Sequence, residues 1–292
     1  MNKKPIFTVT ANDVGQRLDN FLFKQRKHLD RNQWYKLMRK GQIRVNGKRV
    51  KPLYKLNHGD LVRIPPSVFF VESEVITASS EQIASLWQNV IFEDEDYLVI
   101  DKPAGLPSHT GTGHEFGLIE VVSSKFGYES VQLAHRLDKD TSGCVLLAKN
   151  RQALLKFQQA MKSKQITKRY LAVLDGVLEQ SLVVDQALNT DNRANNIRTV
   201  VVSELGKPAQ TTFSPIKHNN KYTLVSCEIQ SGRTHQIRVH AQFIDMPVLG
   251  DFLYGEARPD LERKLYLHSE FLAFLDHHWQ ADTPETFTRI MG

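Results

Sequence analysis

Residues 135–143 read HRLDKDTSG and set Arg136, Asp138, Lys139 and Asp140 on one short polar stretch. The chain then runs directly into CVLLAK, an apolar segment that reads as a buried strand. An ordinary turn has the same composition, because charges mixed with Thr, Ser and Gly are common loop material. The chemical alternative is a carboxylate fixed at a strand mouth. A carboxylate inside a closed pocket is driven toward its neutral form by desolvation, so it needs a fixed cation beside it. SGRTHQIRVH (231–240) offers two, Arg233 and Arg238, on a segment that reads as a helix with Thr234 as N-cap. KRYLAVLDG (168–176) adds Tyr170 on a strand, and PVLGDFLYG (247–255) is a fourth candidate segment. Taken singly, each residue has a plainer reading. Tyr170 fits a half-buried strand aromatic, Arg238 an exposed helix cation, and Asp140 with Thr141 a pair that shapes the loop.

The elements that must position these residues are legible from periodicity. YLVID reads as a strand, and GLIEVVSSKFG as a helix ended by Gly127. NRQALLKFQQAMKS has Asn150 as N-cap, with Leu154, Phe157 and Met161 on one face. PAQTTFSPIKHNNKYTLVSCEIQ predicts a long hairpin turning at HNNK. Hairpins with interspersed helices imply an α+β domain on a mixed, mostly antiparallel sheet over 90–292. Regular strand–helix alternation is absent, which argues against a doubly wound sheet. No Walker loop, dinucleotide fingerprint or nucleophile elbow occurs. GTGHEFG reads as a flexible loop. His277 and His278 read as exposed turn residues rather than metal ligands.

The front of the chain differs in charge. Residues 1–66 hold 16 Lys and Arg against 4 Asp, a balance of +12, while the remainder holds 22 against 28, or −6. A concentrated positive field attracts polyanions, nucleic acid above all. RLDNFLFKQRK places Leu18, Phe21 and Leu22 at helical spacing, and DRNQWYKLMRKG does so with Trp34, Leu37 and Met38, between Asp30 as cap and Gly41 as stop. That second stripe leaves Arg31, Arg39 and Lys40 toward solvent. QIRVNGKRV, carrying Arg44, predicts two strands about an Asn-Gly turn, and GDLVRIP predicts a closing strand. Residues 67–89 lose the basic character and read as a linker. Cys144 and Cys227 sit in apolar surroundings and read as buried thiols. The N-terminus lacks a signal-peptide core and no run approaches a membrane span, so a cytoplasmic protein is expected.

Two resemblances sharpen this. Residues 17–65 are similar to the S-four-like RNA-binding domain, a small α/β head that grips structured RNA through shape and phosphates. By that resemblance Arg31, Arg39, Lys40 and Arg44 contact RNA. The four segments that opened the argument, in their order, resemble the RluA family of pseudouridine synthases over about residues 90–276. With the head in front, the chain resembles the branch acting on large-subunit (23S) ribosomal RNA. The resemblance implies that Asp138 is the catalytic carboxylate, that Arg238 pairs with it and that Tyr170 stacks on the uracil. Arg136 would fill the RNA stack as the uridine flips out, and Arg233 would contact the RNA. It implies an isomerase without cofactor or metal, expected as a monomer. Two departures stand out: the family's N-K-P reads D-K-P at Asp101, and its F-x-H-P region reads FLDHHW. An idle RNA-binding platform and a nucleosidase that releases uracil are the rival readings.

Overall fold

The computed structural model describes residues 6–25, 29, 31–69, 78–110, 116–126, 131–194, 197–256 and 264–292, without side chains for 24, 25, 31, 67, 69, 191–194, 197 and 198. The chain divides into two units, Met1–Thr77 and Ala78–Gly292. The cut splits the stretch read as a linker.

In the first unit, β1 (Ile6–Thr8), β2 (Arg44–Val45) and β3 (Leu61–Arg63) form a sheet in the order β1-β3-β2 beside α1 (Leu18–Gln25), α2 (Arg31–Arg39) and the short α3 (Pro66–Phe69). Leu18, Phe21, Leu22, Trp34 and Met38 are buried together with Ile43, Val45 and Val62. Helical spacing thus selects the core face. Gly41, at φ +68°, ends α2 by donating its N–H to Met38 O. Asp30, expected as the cap, lies outside the described residues. The Asn-Gly turn forms with both residues left-handed, Asn46 at φ 49° and Gly47 at φ 75°. Its expected second arm does not become a strand: Lys48 makes a single bridge to Val45, and β2 pairs with β3 instead. The Asn46 side chain explains this, since its carbonyl accepts from Leu61 N–H and its amide donates to Asp60.

The second unit opens with α4 (Ser80–Trp87), which a capping box between Ser79 and Gln82 holds inside the supposed linker. Then follow β4 (Val90–Glu93), β5 (Tyr97–Lys102), α5 (Leu118–Phe126), β6 (Gln132–Leu133), β7 (Ser142–Ala148) and α6 (Arg151–Lys162). The chain continues through β8 (Ile166–Asp175), β9 (Leu182–Asp185), β10 (Leu188–Ala194), β11 (Ile197–Val202), β12 (Gln210–His218) and β13 (Tyr222–Ile229). It closes with α7 (Gln236–Phe243), β14 (Leu267–Phe274), β15 (His277–Gln280) and α8 (Glu285–Met291). The main sheet runs β4-β5-β7-β14-β8-β13-β12-β9, with β6 on β7 and β15 on β14. The pairing of β7 with β14 is parallel and the others are antiparallel. This is the mixed, antiparallel-dominated α+β sheet expected. Strands β10 and β11 form a hairpin of their own.

Side chains alternate across the sheet. Ile100, Leu147, Tyr170 and Ala172 enter a core that also holds Leu118 and Val122 of α5 and Ile237 of α7. Val99, Cys144, Leu146 and Ala148 face the opposite way, against Ala153, Leu154 and Phe157 of α6. Cover on both faces explains why CVLLA is apolar at every position. Asn150 caps α6 by accepting from Ala153 N–H at 2.9 Å. Met161, expected on the buried face, is 45% exposed in the last turn of α6. Gly127 and residues 111–115 of the glycine loop lie outside the described residues. His277 is half-buried in β15 rather than in a turn, stacked on Trp279 at 5.5 Å, because the chain turns earlier, before β15. His278 is exposed. Among the described residues no helix is long and apolar enough to cross a membrane.

Candidate active site

The loop between β6 and β7 is held from below. Leu137, 5% exposed, donates its N–H to Ser108 Oγ at 3.1 Å, and Ser108 donates back to Leu137 O at 2.7 Å. Fully buried Lys102 donates from Nζ to Pro103 O, Leu106 O and Lys139 O at 2.8–3.0 Å. Burial pulls this ammonium down to about 8, against the attraction of Asp140, Asp138 and Asp101. Lys139 O also accepts from Gly105 N–H, and Thr141 N–H donates to Asp138 O, which closes the turn. At the loop's exit Gly143 has φ +108°, and a Cβ there would lie 2.2 Å from Ser269 O. Only glycine permits this close approach to β14.

Asp138 therefore emerges from a clamped turn, its side chain 23% exposed. Arg136 is exposed two residues earlier. Tyr170, reaching from β8, is 7% exposed, and burial pushes its phenol well above the usual range despite a hydrogen bond with Ser269. Asp138, Arg136, Tyr170, Ile229, His235 and Arg238 line one cleft. Arg233 lines it too, half-buried, with Nε donating to Pro208 O at 3.2 Å.

The helix start departs from expectation in one respect. The N-cap of α7 is His235, not Thr234, and it is left-handed at φ 53° with no capping hydrogen bond from its side chain. A β-branched threonine resists that conformation, and its hydroxyl is not the cap. The imidazole is instead turned into the cleft. His235 Nε2 lies 3.8 Å from Asp138 Oδ2, and Nδ1 lies 2.7 Å from Tyr254 Oη.

Arg238 lies near Asp138 but is held by another carboxylate. Its Nε and Nη2 donate to Asp251 at 2.6 and 2.7 Å in a two-pronged pair, while Nη1 stands 3.8 Å from Asp138 Oδ2. Asp251 is 1% exposed and also accepts from Leu253 and Tyr254 N–H. Burial works against the Arg238 charge, but Asp251 outweighs it and raises the guanidinium further. The guanidinium also lies over the Tyr254 ring at 5.1 Å.

Among the head residues, Arg39, Lys40 and Arg44 are exposed, and the Arg31 side chain lies outside the described residues. Sequence reasoning passed over His235, Asp251, Tyr254 and Lys102. Three of them stand inside segments already singled out, THQ and GDFLYG, so the signal was position within a motif rather than residue type.

The site's four segments can now be set beside known proteins. Residues 96–243 match the family described as RNA pseudouridylate synthase, and residues 16–62 match the S4 domain. The chain belongs to the RNA pseudouridylate synthase family. This synthase is therefore an isomerase of uridine in RNA, with an S4 domain in front. It is 39% identical to ribosomal large subunit pseudouridine synthase C of Escherichia coli (strain K12), over 92% of this chain and 88% of that protein. It is 37% identical to the protein of the same name from Haemophilus ducreyi, over 93% and 92%. Among solved structures, human RNA pseudouridylate synthase domain containing 1 matches with a TM-score of 0.59 and 25% identity, covering 70% of the synthase and 86% of that chain.

Proposed function

We propose that the synthase converts uridines of large-subunit ribosomal RNA to pseudouridine, with Asp138 as the catalytic carboxylate. The observation that carries this is a partly buried carboxylate on a clamped turn, one of whose oxygens faces both His235 and Arg238 at 3.8 Å, beside a buried tyrosine. The choice of RNA rests on the printed names of the two bacterial relatives and on the basic S4 head.

The reaction breaks the bond from uracil N1 to the ribose, turns the base, and rejoins it through a ring carbon while one ring proton is lost and another gained at nitrogen. Nothing is oxidised and no group leaves, so the chain's own side chains suffice. Asp138 supplies the ionised oxygen that begins bond cleavage. Tyr170 supplies a flat face for the uracil, which suits any base orientation during the turn. Arg136, exposed on the same loop, takes the place of the flipped uridine in the RNA stack. Arg233 on the cleft rim, and Arg31, Arg39, Lys40 and Arg44 on the head, contact phosphates. The compartment is the cytoplasm.

The test is carbodiimide mapping of ribosomal RNA from cells lacking the protein, with add-back of wild type or Asp138→Asn. Stops that vanish in the deletion and return only with wild type support the reading. Free uracil released in vitro would make the protein a nucleosidase instead.

A further inference from the structure

His235 lies between two fixed partners, and their chemistry dictates where its proton sits. On one side Tyr254 Oη is 2.7 Å from Nδ1 and already accepts the backbone N–H of Val200 at 2.9 Å. Having accepted from Val200, the hydroxyl has its own proton left to donate, and Nδ1 is the acceptor within reach. Nδ1 is then bare and Nε2 carries the hydrogen. On the other side Nε2 faces Asp138 Oδ2 at 3.8 Å. The opposite tautomer would leave the Tyr254 proton without Nδ1 as acceptor and turn a bare nitrogen lone pair toward a carboxylate oxygen. Both ends of the ring thus select the same form.

The backbone agrees. His235 is one of five non-glycine residues with positive φ among the described residues, and strain of this kind persists only where surroundings hold it. Here it swings the imidazole off the helix and into the cleft.

We propose that His235 is a positioning residue for Asp138: with Arg238 it holds Oδ2 and leaves Oδ1 as the oxygen that meets the uridine. The inference rests on the reading of Asp138 as the catalytic carboxylate. Both cleft contacts to Asp138 go to Oδ2, from His235 Nε2 and Arg238 Nη1. Each stands about one ångström beyond hydrogen-bond length, a gap that substrate entry closes. A neutral imidazole donates without adding charge, so it orients the carboxylate while Arg238 supplies the cation. Burial favours that neutrality and outweighs the pull of the two facing carboxylates. Burial lowers its pKa first; Asp138 and Asp251 raise it, and Arg238 and Arg136 lower it again. Tyr254 is also the link outward, since Val200 belongs to β11 of the separate β10–β11 hairpin. The hairpin backbone, Tyr254, His235 and Asp138 form one connected line.

The tautomer is read directly in the wild-type protein by nitrogen-15 NMR of labelled histidine, with the His235 signals assigned by their loss in His235→Gln. The expected spectrum shows a protonated Nε2 and a bare Nδ1 at neutral pH, with the Nε2 resonance displaced in Asp138→Asn. A protonated Nδ1, or signals indifferent to Asp138→Asn, overturns the proposal. The functional arm measures single-turnover rate at saturating RNA together with RNA affinity. His235→Ala should slow the chemical step about 10- to 100-fold, the worth of one hydrogen bond to a charged group, with affinity changed less than about threefold. His235→Gln, whose amide can donate from the same position, should recover much of that rate. Equal losses in Ala and Gln, or a loss confined to affinity, overturn it. Tyr254→Phe, which keeps the ring packing, should slow the step with unchanged affinity, and this arm decides the matter if the His235 variants do not fold. Activity in Asp138→Asn would instead bring down the underlying reading, whatever the histidine shows.

Discussion

The two units handle charge in opposite ways. In the head Lys36, Arg39, Lys40, Arg44, Lys48, Arg49, Lys51, Lys55 and Arg63 are all exposed. Its buried carboxylate Asp19 is bound by Arg17 and Tyr35, and buried Asp60 by Asn46 and Tyr54. The catalytic unit has exposed cations too, Arg136 and Lys139 among them, but it also buries cations beside its loop and cleft. Lys102 is fully enclosed by three carbonyls, and Arg238 is 5% exposed against Asp251. Exposed cations create a field that holds a polyanion of any sequence and weakens with salt. Buried, paired charges create geometry, which salt hardly touches. The first arrangement suits capture and the second suits chemistry. If so, substitutions in the two units should separate into effects on affinity and effects on rate or folding.

The largest separation is expected at Asp138. Asp138→Asn keeps the side-chain shape and removes the ionised oxygen, so single-turnover rate should fall by at least about 10³-fold. RNA affinity should stay within about threefold, as measured by filter binding. A variant that turns over at a tenth of the wild-type rate would end the assignment.

Next comes Arg238. The arrangement with Asp251 changes what Arg238→Ala tests, because removing the guanidinium strands a fully buried carboxylate. Breaking such a pair costs about 3–5 kcal/mol, so the variant should unfold at markedly lower denaturant than wild type. Arg238→Lys should lose less, keeping charge but not the two-pronged contact. The matching substitution in the head, Arg39→Ala, should change stability by no more than about 0.5 kcal/mol. Equal denaturation midpoints for Arg238→Ala and wild type would erase the contrast between the units.

The head should answer to salt. Replacing Arg39, Lys40 and Arg44 together by Ala removes up to three phosphate contacts. The slope of log affinity against log salt should become shallower by about 2–3, with the single-turnover rate at saturating RNA unchanged. A rate loss without a change in slope would move these residues out of the capture role.

How much of this was legible in the sequence follows the same division. The α+β sheet, the hairpin at HNNK and the Asn150 cap rest on local periodicity and turn chemistry, and the structure has all three. Asp138, Tyr170 and Arg238 were marked by motif and lie in one cleft. What periodicity could not supply was pairing across distance. Arg238 finds Asp251 thirteen residues later because the chain after α7 returns along β8, where Val248 bridges Leu174, and no spacing rule announces that. His235 was passed over because a left-handed residue at a helix start cannot be inferred from a histidine in THQ. The second arm of the Asn-Gly hairpin failed for a similar reason: β2 has a better partner in β3, with Val45 opposite Val62, which the Asn46 side chain secures.

The smallest effect is expected at Asp101 in D-K-P. Asp101 lies on β5, beside the sheet's parallel seam, and burial raises its carboxyl to about 6. Asp282 repels it further, while Gly143 N–H and Lys102 only partly offset the cost. In the unfolded chain the same group titrates near 3.8. Between these two values the folded protein holds more protons than the unfolded one, so stability falls as pH rises through that window. The relative stability is fully present below 3.8 and gone above about 6, and the ionised group is a standing cost at neutral pH. Asp101→Asn removes the charge and keeps an acceptor for Gly143 N–H. It should therefore stabilise the protein by about 1–2 kcal/mol at pH 7.5, a rise in melting temperature of about 2–8 °C for a unit this size. At pH 4 most of the gain should vanish, because the group is then neutral in the fold and close to its midpoint in the unfolded chain. Melting curves for both proteins from pH 4 to 8 test the sign. A gain that persists in full at pH 4 would mean that packing or hydrogen bonding, and not ionisation, separates Asp from Asn at this seam.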